Sequence, residues 1–155
     1  MKPKELTLKV VFKKSEASTQ TIFNQIYITD KFRKWFNTFP IWMTFDSKYF
    51  DVGCSGTFNL FFPPFKYKMT CVEIIPNKMM KLEFSGWVNG GVTVNFLEDK
   101  DNIIMDHPLI IYGRNMFFHL YYSLVLTLPH IPYTRWRFSI MKKIVIQEEK
   151  NIVKF

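Results

Sequence analysis

Residues 79–112 read MMKLEFSGWVNGGVTVNFLEDKDNIIMDHPLIIY. Leu82 and Phe84 alternate here with Lys81 and Glu83, and Val92, Val94 and Phe96 alternate with Thr93 and Asn95. A period of two sends successive side chains to opposite faces, so the pattern predicts half-buried β-strands over 79–86 and 92–98. The intervening Asn89, Gly90 and Gly91 carry the strongest hairpin signal in the chain, and residues 99–102 predict a second turn into a strand over 103–112. Strands joined by short turns make an antiparallel meander.

The same punctuation extends toward the N-terminus. Strands are predicted over 41–46, 56–62 and 66–75, separated by a loop at 51–55 and closed by Pro63 with Pro64, then by Pro76 with Asn77. Within 66–75, Tyr67, Met69 and Cys71 lie out of step with Val72 and Ile74, which a β-bulge would reconcile. A seventh strand is predicted over 5–12. Two short helices follow it. The first starts at 15–17 with Glu16 in its first turn, and the second is capped by Thr29 and Asp30 and ended by Pro40, with Phe32, Trp35 and Phe36 on one face. After the break at Gly113, Asn115 is positioned to cap a helix from Met116 to Leu128. Pro132 then suits the first turn of a final helix, on which Tyr133, Trp136, Ile140 and Ile144 share a face.

The expected architecture is therefore α+β: one domain over 1–155, a curved seven-stranded antiparallel sheet, two short helices, and a long C-terminal helix laid across the concave face. A curved sheet touches such a helix along only part of its length, so a hollow can remain between them. Lining is available from Phe58, Leu60, Tyr67, Met69, Leu82, Phe84, Val92, Val94 and Phe96 on strands, and from Tyr133, Trp136 and Ile140 on the helix. The composition fits a hollow: aromatic residues make up 18% of the 155 residues, more flat apolar surface than packing alone requires.

Several function classes lose ground on composition. Two cysteines cannot build a disulfide scaffold or a four-ligand zinc site, and with three histidines besides no dedicated metal centre is expected; no cofactor is expected either. No phosphate-cradling glycine loop or nucleophile elbow occurs. Asp106 and His107 are adjacent, but neighbours on a regular strand point to opposite faces and cannot orient one another; His107 can serve as a polar anchor for a ligand. The net charge of +8 is concentrated at the two ends, with five lysines against Glu5 in residues 1–14. Lysines outnumber arginines 17 to 4, which disfavours base reading and nucleic acid as a partner.

The segment NMFFHLYYSLVLTLPHIPY at 115–133 is apolar on every side. Its continuous apolar part, from Met116 to Leu128, would reach about 20 Å as a helix, short of a ~30 Å hydrocarbon core. Burial against the sheet is one reading. A flap at the mouth of the hollow, touching an anionic membrane peripherally with help from Arg114, Arg135, Arg137, Lys142 and Lys143, is the other. With no signal-peptide pattern at the start, a cytoplasmic location is expected.

The element order, with KFRKWFNTFP at 31–40, GTFNLFF at 56–62, YKMTCVEIIPNKMMKLEF at 67–84 and IPYTRWRFSIMKK at 131–143, resembles the SRPBCC superfamily, the START and birch-pollen-allergen helix-grip fold. The resemblance covers essentially the whole chain. It implies a single domain enclosing an apolar cavity for lipids, sterols, polyketides or similar molecules. Some members are enzymes, polyketide cyclases among them, so it leaves open a cyclase- or dehydrase-like activity, or a lipid-transfer module at a membrane, beside simple binding or carriage. The sequence departs from the usual pattern at 115–132, where the apolar run and two prolines lengthen or kink the last helix.

Overall fold

The computed structural model of the protein describes residues 2–61 and 64–152, with the backbone alone over 125–129. Phe62 and Pro63, which the pattern places at the end of a strand and in its turn, lie outside the described residues, as do the side chains of 125–129. The elements in order are β1 (Lys4–Lys13), α1 (Thr19–Tyr27), α2 (Thr29–Phe36), β2 (Ile41–Phe45), β3 (Ser55–Leu60), β4 (Phe65–Ile75), β5 (Met79–Gly86), β6 (Val88–Glu98) and β7 (Asn102–Gly113). The helical remainder is α3 (Met116–Tyr121), a π-helical turn (Tyr122–Leu126) and α4 (Thr127–Ile152). All seven strands form one antiparallel sheet in the order β1-β7-β6-β5-β4-β3-β2. The meander runs from β2 to β7, and β1 closes onto β7.

The bulge in β4 falls between Cys71 and Glu73, where the register against β5 shifts by one residue. It keeps Phe65, Met69 and Cys71 on the buried face, while Glu73 and Ile75 beyond it turn outward. The predicted hairpin at residues 89–91 is corrected. These residues lie inside β6, and the chain passes from β5 to β6 through Gly86 and Trp87. Gly90 has φ +124, and a Cβ there would stand 2.1 Å from the Ile110 carbonyl oxygen; at Gly91 it would stand 2.5 Å from that of Leu82. The glycine pair thus serves a close approach of three strands rather than a turn, two uses of glycine that look alike in sequence.

Both short helices start differently from the pattern. Ser18 caps α1 by accepting from the Thr21 N–H, residues 14–16 form a turn, and Glu16 precedes the helix. Thr29 does not cap α2: its hydroxyl donates to the carbonyls of Ser47 and Lys48, tying the helix to the loop before β3. Asn115 does cap α3, accepting from the Phe118 N–H at 3.0 Å. Pro132 lies well inside α4 instead of opening it, because the chain is already helical from Thr127.

Helix α4 lays Thr134, Phe138, Met141 and Val145 against the sheet, a spacing of four, three and four that follows one helical stripe. The predicted stripe of Tyr133, Trp136, Ile140 and Ile144 is displaced to its flank. Both stripes are apolar, and periodicity alone cannot say which one takes the centre. Trp136 is 50% exposed, its ring covered by the Arg137 guanidinium at 4.7 Å. The far end of α4 is fastened to the short helices. Glu148 accepts from Lys31 at 2.6 Å and Gln25 at 2.9 Å, and Glu149 accepts from Ser18. At the centre of the contact Trp35 of α2 is fully buried, its indole N–H donating to the Gln25 carbonyl at 2.9 Å.

Candidate ligand cavity

Between the concave face of the sheet, α2 and α4 lies a cavity of about 340 Å³. Strands supply Phe58 and Leu60 of β3, Tyr67 and Met69 of β4, Leu82 and Phe84 of β5, and Val92 and Val94 of β6. His107, Leu109 and Ile111 come from β7, and His130, Tyr133, Thr134 and Phe138 from α4. Each strand contributes alternate residues, which is why the wall is apolar although the strands are not. Among the described residues no lysine, arginine, aspartate or glutamate lines it.

Three residues with lining potential in the sequence stand elsewhere. Phe96 is buried, but α1 covers it: its ring packs edge-on against Phe23 at 5.6 Å. Trp136 points outward and Ile140 lies on the flanking stripe, neither reaching the cavity. Conversely, the pattern did not single out as lining Phe32, Trp35 and Phe36 of α2, Met43 of β2, Tyr122 of the π-helical turn, or His130. The α2 aromatics show as one face in the sequence, yet nothing local says that the face meets a cavity. Leu109 and Ile111 could have been found by extending the alternation from His107.

The polar groups of the cavity are few. Tyr133 donates to the Phe36 carbonyl at 3.0 Å, and Thr134 to that of His130 at 2.8 Å, so both hydroxyls are engaged with backbone. Burial raises the Tyr133 phenol to about 12 and pushes those of Tyr67 and Tyr122 up as well, keeping all three protonated. His107 faces inward with Leu109 and Ile111, its ring edge-on to Phe138 at 5.4 Å. Loss of hydration lowers it to about 4, and the charge of His130 would lower it further in the same direction. Burial likewise lowers His130 to about 4. Both imidazoles are therefore neutral near pH 7. Asp106 does not line the cavity, so it forms no dyad with His107.

The π-helical turn that follows α3 contributes Tyr122 to the cavity wall. Tyr122 turns inward and stacks on Phe65 at 5.9 Å, and Tyr121 donates to the Pro64 carbonyl at 2.8 Å. Met116, Phe117 and Leu120 of α3 and Leu124 of the π-helical turn are exposed. No helix among the described residues is long and apolar enough to cross a membrane, and no cluster of three or more His, Cys, Asp or Glu there could hold a metal ion.

No protein-family model and no curated protein matches the sequence. Solved structures do match in fold. A protein of Chromobacterium violaceum is similar over 93% of this chain and 99% of its own at 11% identity, with a TM-score of 0.66. A norcoclaurine synthase point mutant of Thalictrum flavum, in complex with a transition-state analogue, is similar over 97% of this chain and 99% of its own at 13% identity, TM-score 0.61. The Aha1 dimer of Colwellia psychrerythraea matches over 90% of this chain and 96% of its own at 12% identity, TM-score 0.58. At these identities the likeness is one of fold, a helix-grip arrangement consistent with the SRPBCC resemblance of the sequence.

Proposed function

We propose that the protein binds or carries a hydrophobic small molecule in the cavity between sheet and α4. The observation that supports this most is an apolar space of about 340 Å³, at the small end of known ligand pockets, lined among the described residues by rings and methyls without a charged group. The driving force is desolvation. A ligand burying on the order of 200 Å² of apolar surface gains roughly 5 kcal/mol at about 25 cal/mol per Å², before the cost of association.

The test is binding of the uncharged fluorophore phenylnaphthylamine. Its emission rises on titration with wild-type protein. Val94→Phe fills part of the space from β6 and lowers affinity by roughly tenfold or more, while the melting temperature stays level or rises because a void is filled. Absence of any fluorescence gain with wild type, together with empty organic extracts of the purified protein, contradicts the reading.

The exposed apolar side of α3 supports a second element of function, peripheral contact with anionic membranes. Met116, Phe117, Leu120 and Leu124 are exposed apolar residues of α3 and the π-helical turn, with Arg114 exposed just before α3 and Lys66 exposed on β4. Such a pairing of greasy and basic groups suits a headgroup interface. In flotation with phosphatidylserine-containing liposomes, Phe117→Ser with Leu120→Ser abolishes recovery with the membrane fraction, and added salt reduces recovery of the wild type. Recovery indifferent to lipid charge, salt and these substitutions removes the membrane from the proposal.

A further inference from the structure

Three polar side chains line the cavity with no side-chain hydrogen bond to another described residue: His107, His130 and Tyr67. The case is clearest for His107. Its Nδ1 is buried and without a hydrogen-bond partner among the described residues, and the residue lines the cavity. Tyr133 and Thr134, the other polar side chains contributed by α4 beside His130, are already engaged with backbone carbonyls. A buried polar group left unpaired is costly, so these groups mark where a ligand's polar atom belongs.

We propose that the ligand is an uncharged apolar molecule bearing one hydroxyl, seated with that hydroxyl against His107 and His130. This rests on the cavity reading above and narrows it to a chemical class. A neutral imidazole offers one lone pair and one N–H. Where one ring presents its lone pair and the other its N–H, a hydroxyl donates to the first and accepts from the second at once. A carbonyl can only accept. A carboxylate would bring a full charge into a wall that holds no lysine or arginine among the described residues, and the desolvation that holds both histidines neutral opposes lending it a proton. A space of about 340 Å³ lies at the small end of ligand pockets, which suits a bicyclic aromatic alcohol or a medium-chain one.

The experiment is displacement of phenylnaphthylamine at pH 7.5 by naphthalene, naphthol and naphthoate, which share one ring system and differ in the polar group. Naphthol is expected to bind roughly tenfold more tightly than naphthalene and naphthoate to be the weakest of the three. His107→Leu reduces the naphthol advantage over naphthalene to twofold or less. His107→Gln, which keeps a hydrogen-bonding group, retains most of the advantage, and the wild-type ranking tests the idea even where a variant folds poorly. Naphthalene and naphthol displacing equally, or naphthoate displacing best, overturns the hydroxyl subsite while leaving the apolar cavity standing. Displacement by none of the three overturns both.

Discussion

Between pH 6.5 and about 4 the folded protein loses several kcal/mol of stability, and His107 and His130 account for most of the loss. Both sit in the cavity wall and are lowered from 6.5 to about 4 by burial. In the unfolded chain each regains its ordinary value, so on acidification the unfolded state takes up protons first. The stability these groups contribute is fully present above pH 6.5 and falls as pH drops toward the folded value, because stability rises with pH wherever the unfolded state binds more protons. At pH 4 each histidine costs roughly 3 kcal/mol, a large share of the ~5–15 kcal/mol typical of a domain. The groups facing them are the neutral phenols of Tyr67, Tyr122 and Tyr133, with no carboxylate among the described lining residues to hold a charged imidazole.

Carboxylates contribute lower on the pH scale. Glu98 is held below its ordinary value by hydrogen bonds from Thr19 and Lys14, and Asp99 by backbone N–H groups of Asn102 and Asp101. Both are exposed and release their stabilisation only when pH falls below the usual carboxylate range. Urea unfolding at a series of pH values separates the two. The wild-type midpoint drops steeply between pH 6.5 and 4.5, and His107→Leu with His130→Leu flattens that segment without changing the slope below it. A double variant as acid-sensitive as the wild type disproves the assignment.

What could be read from the sequence follows a physical division. Alternation is a local property of a strand, so Val92, Val94, Leu82 and Phe84 declared their face directly, and all four line the cavity. The β4 bulge was legible for the same reason, as a phase conflict between Cys71 and Val72 that only an extra residue resolves. On α4 locality fails. Two apolar stripes run along one helix, and only the shape of the sheet decides that Phe138, rather than Trp136, takes the centre. His130 is a sharper case. In sequence it stands between two prolines in a run suggesting a flap, and its role depends on meeting His107 across a space formed by elements far apart in the chain. The caps divide likewise: Asn115 serves its own helix, whereas Thr29 is recruited by carbonyls 18 and 19 residues away.

Gly90→Ala is expected to cost roughly 3–5 kcal/mol, among the largest effects of any one-methyl change in this chain. Two penalties coincide. The backbone at φ +124 is one that L side chains rarely adopt, and the new Cβ would lie 2.1 Å from the Ile110 carbonyl oxygen and 3.1 Å from the Ile111 Cα. Both atoms are backbone of β7, held in register with β6 from Val88 to Glu98, so no flexible side chain can yield. Gly53→Ala is the matched control. Its φ is +89 but nothing stands within 4 Å of the added methyl, so it bears only the conformational penalty, roughly 1–2 kcal/mol. The difference between the two variants in urea unfolding thus carries the steric penalty together with the difference between backbones at φ +124 and +89. Relief of the clash must push β6 from β7, the strands that carry Val92 and Val94 on one side and His107 and Leu109 on the other, so Gly90→Ala also weakens phenylnaphthylamine binding while Gly53→Ala does not. Equal stability of the two variants would mean that β6 does not pass so near β7, and the cavity wall built on that approach would have to be redrawn.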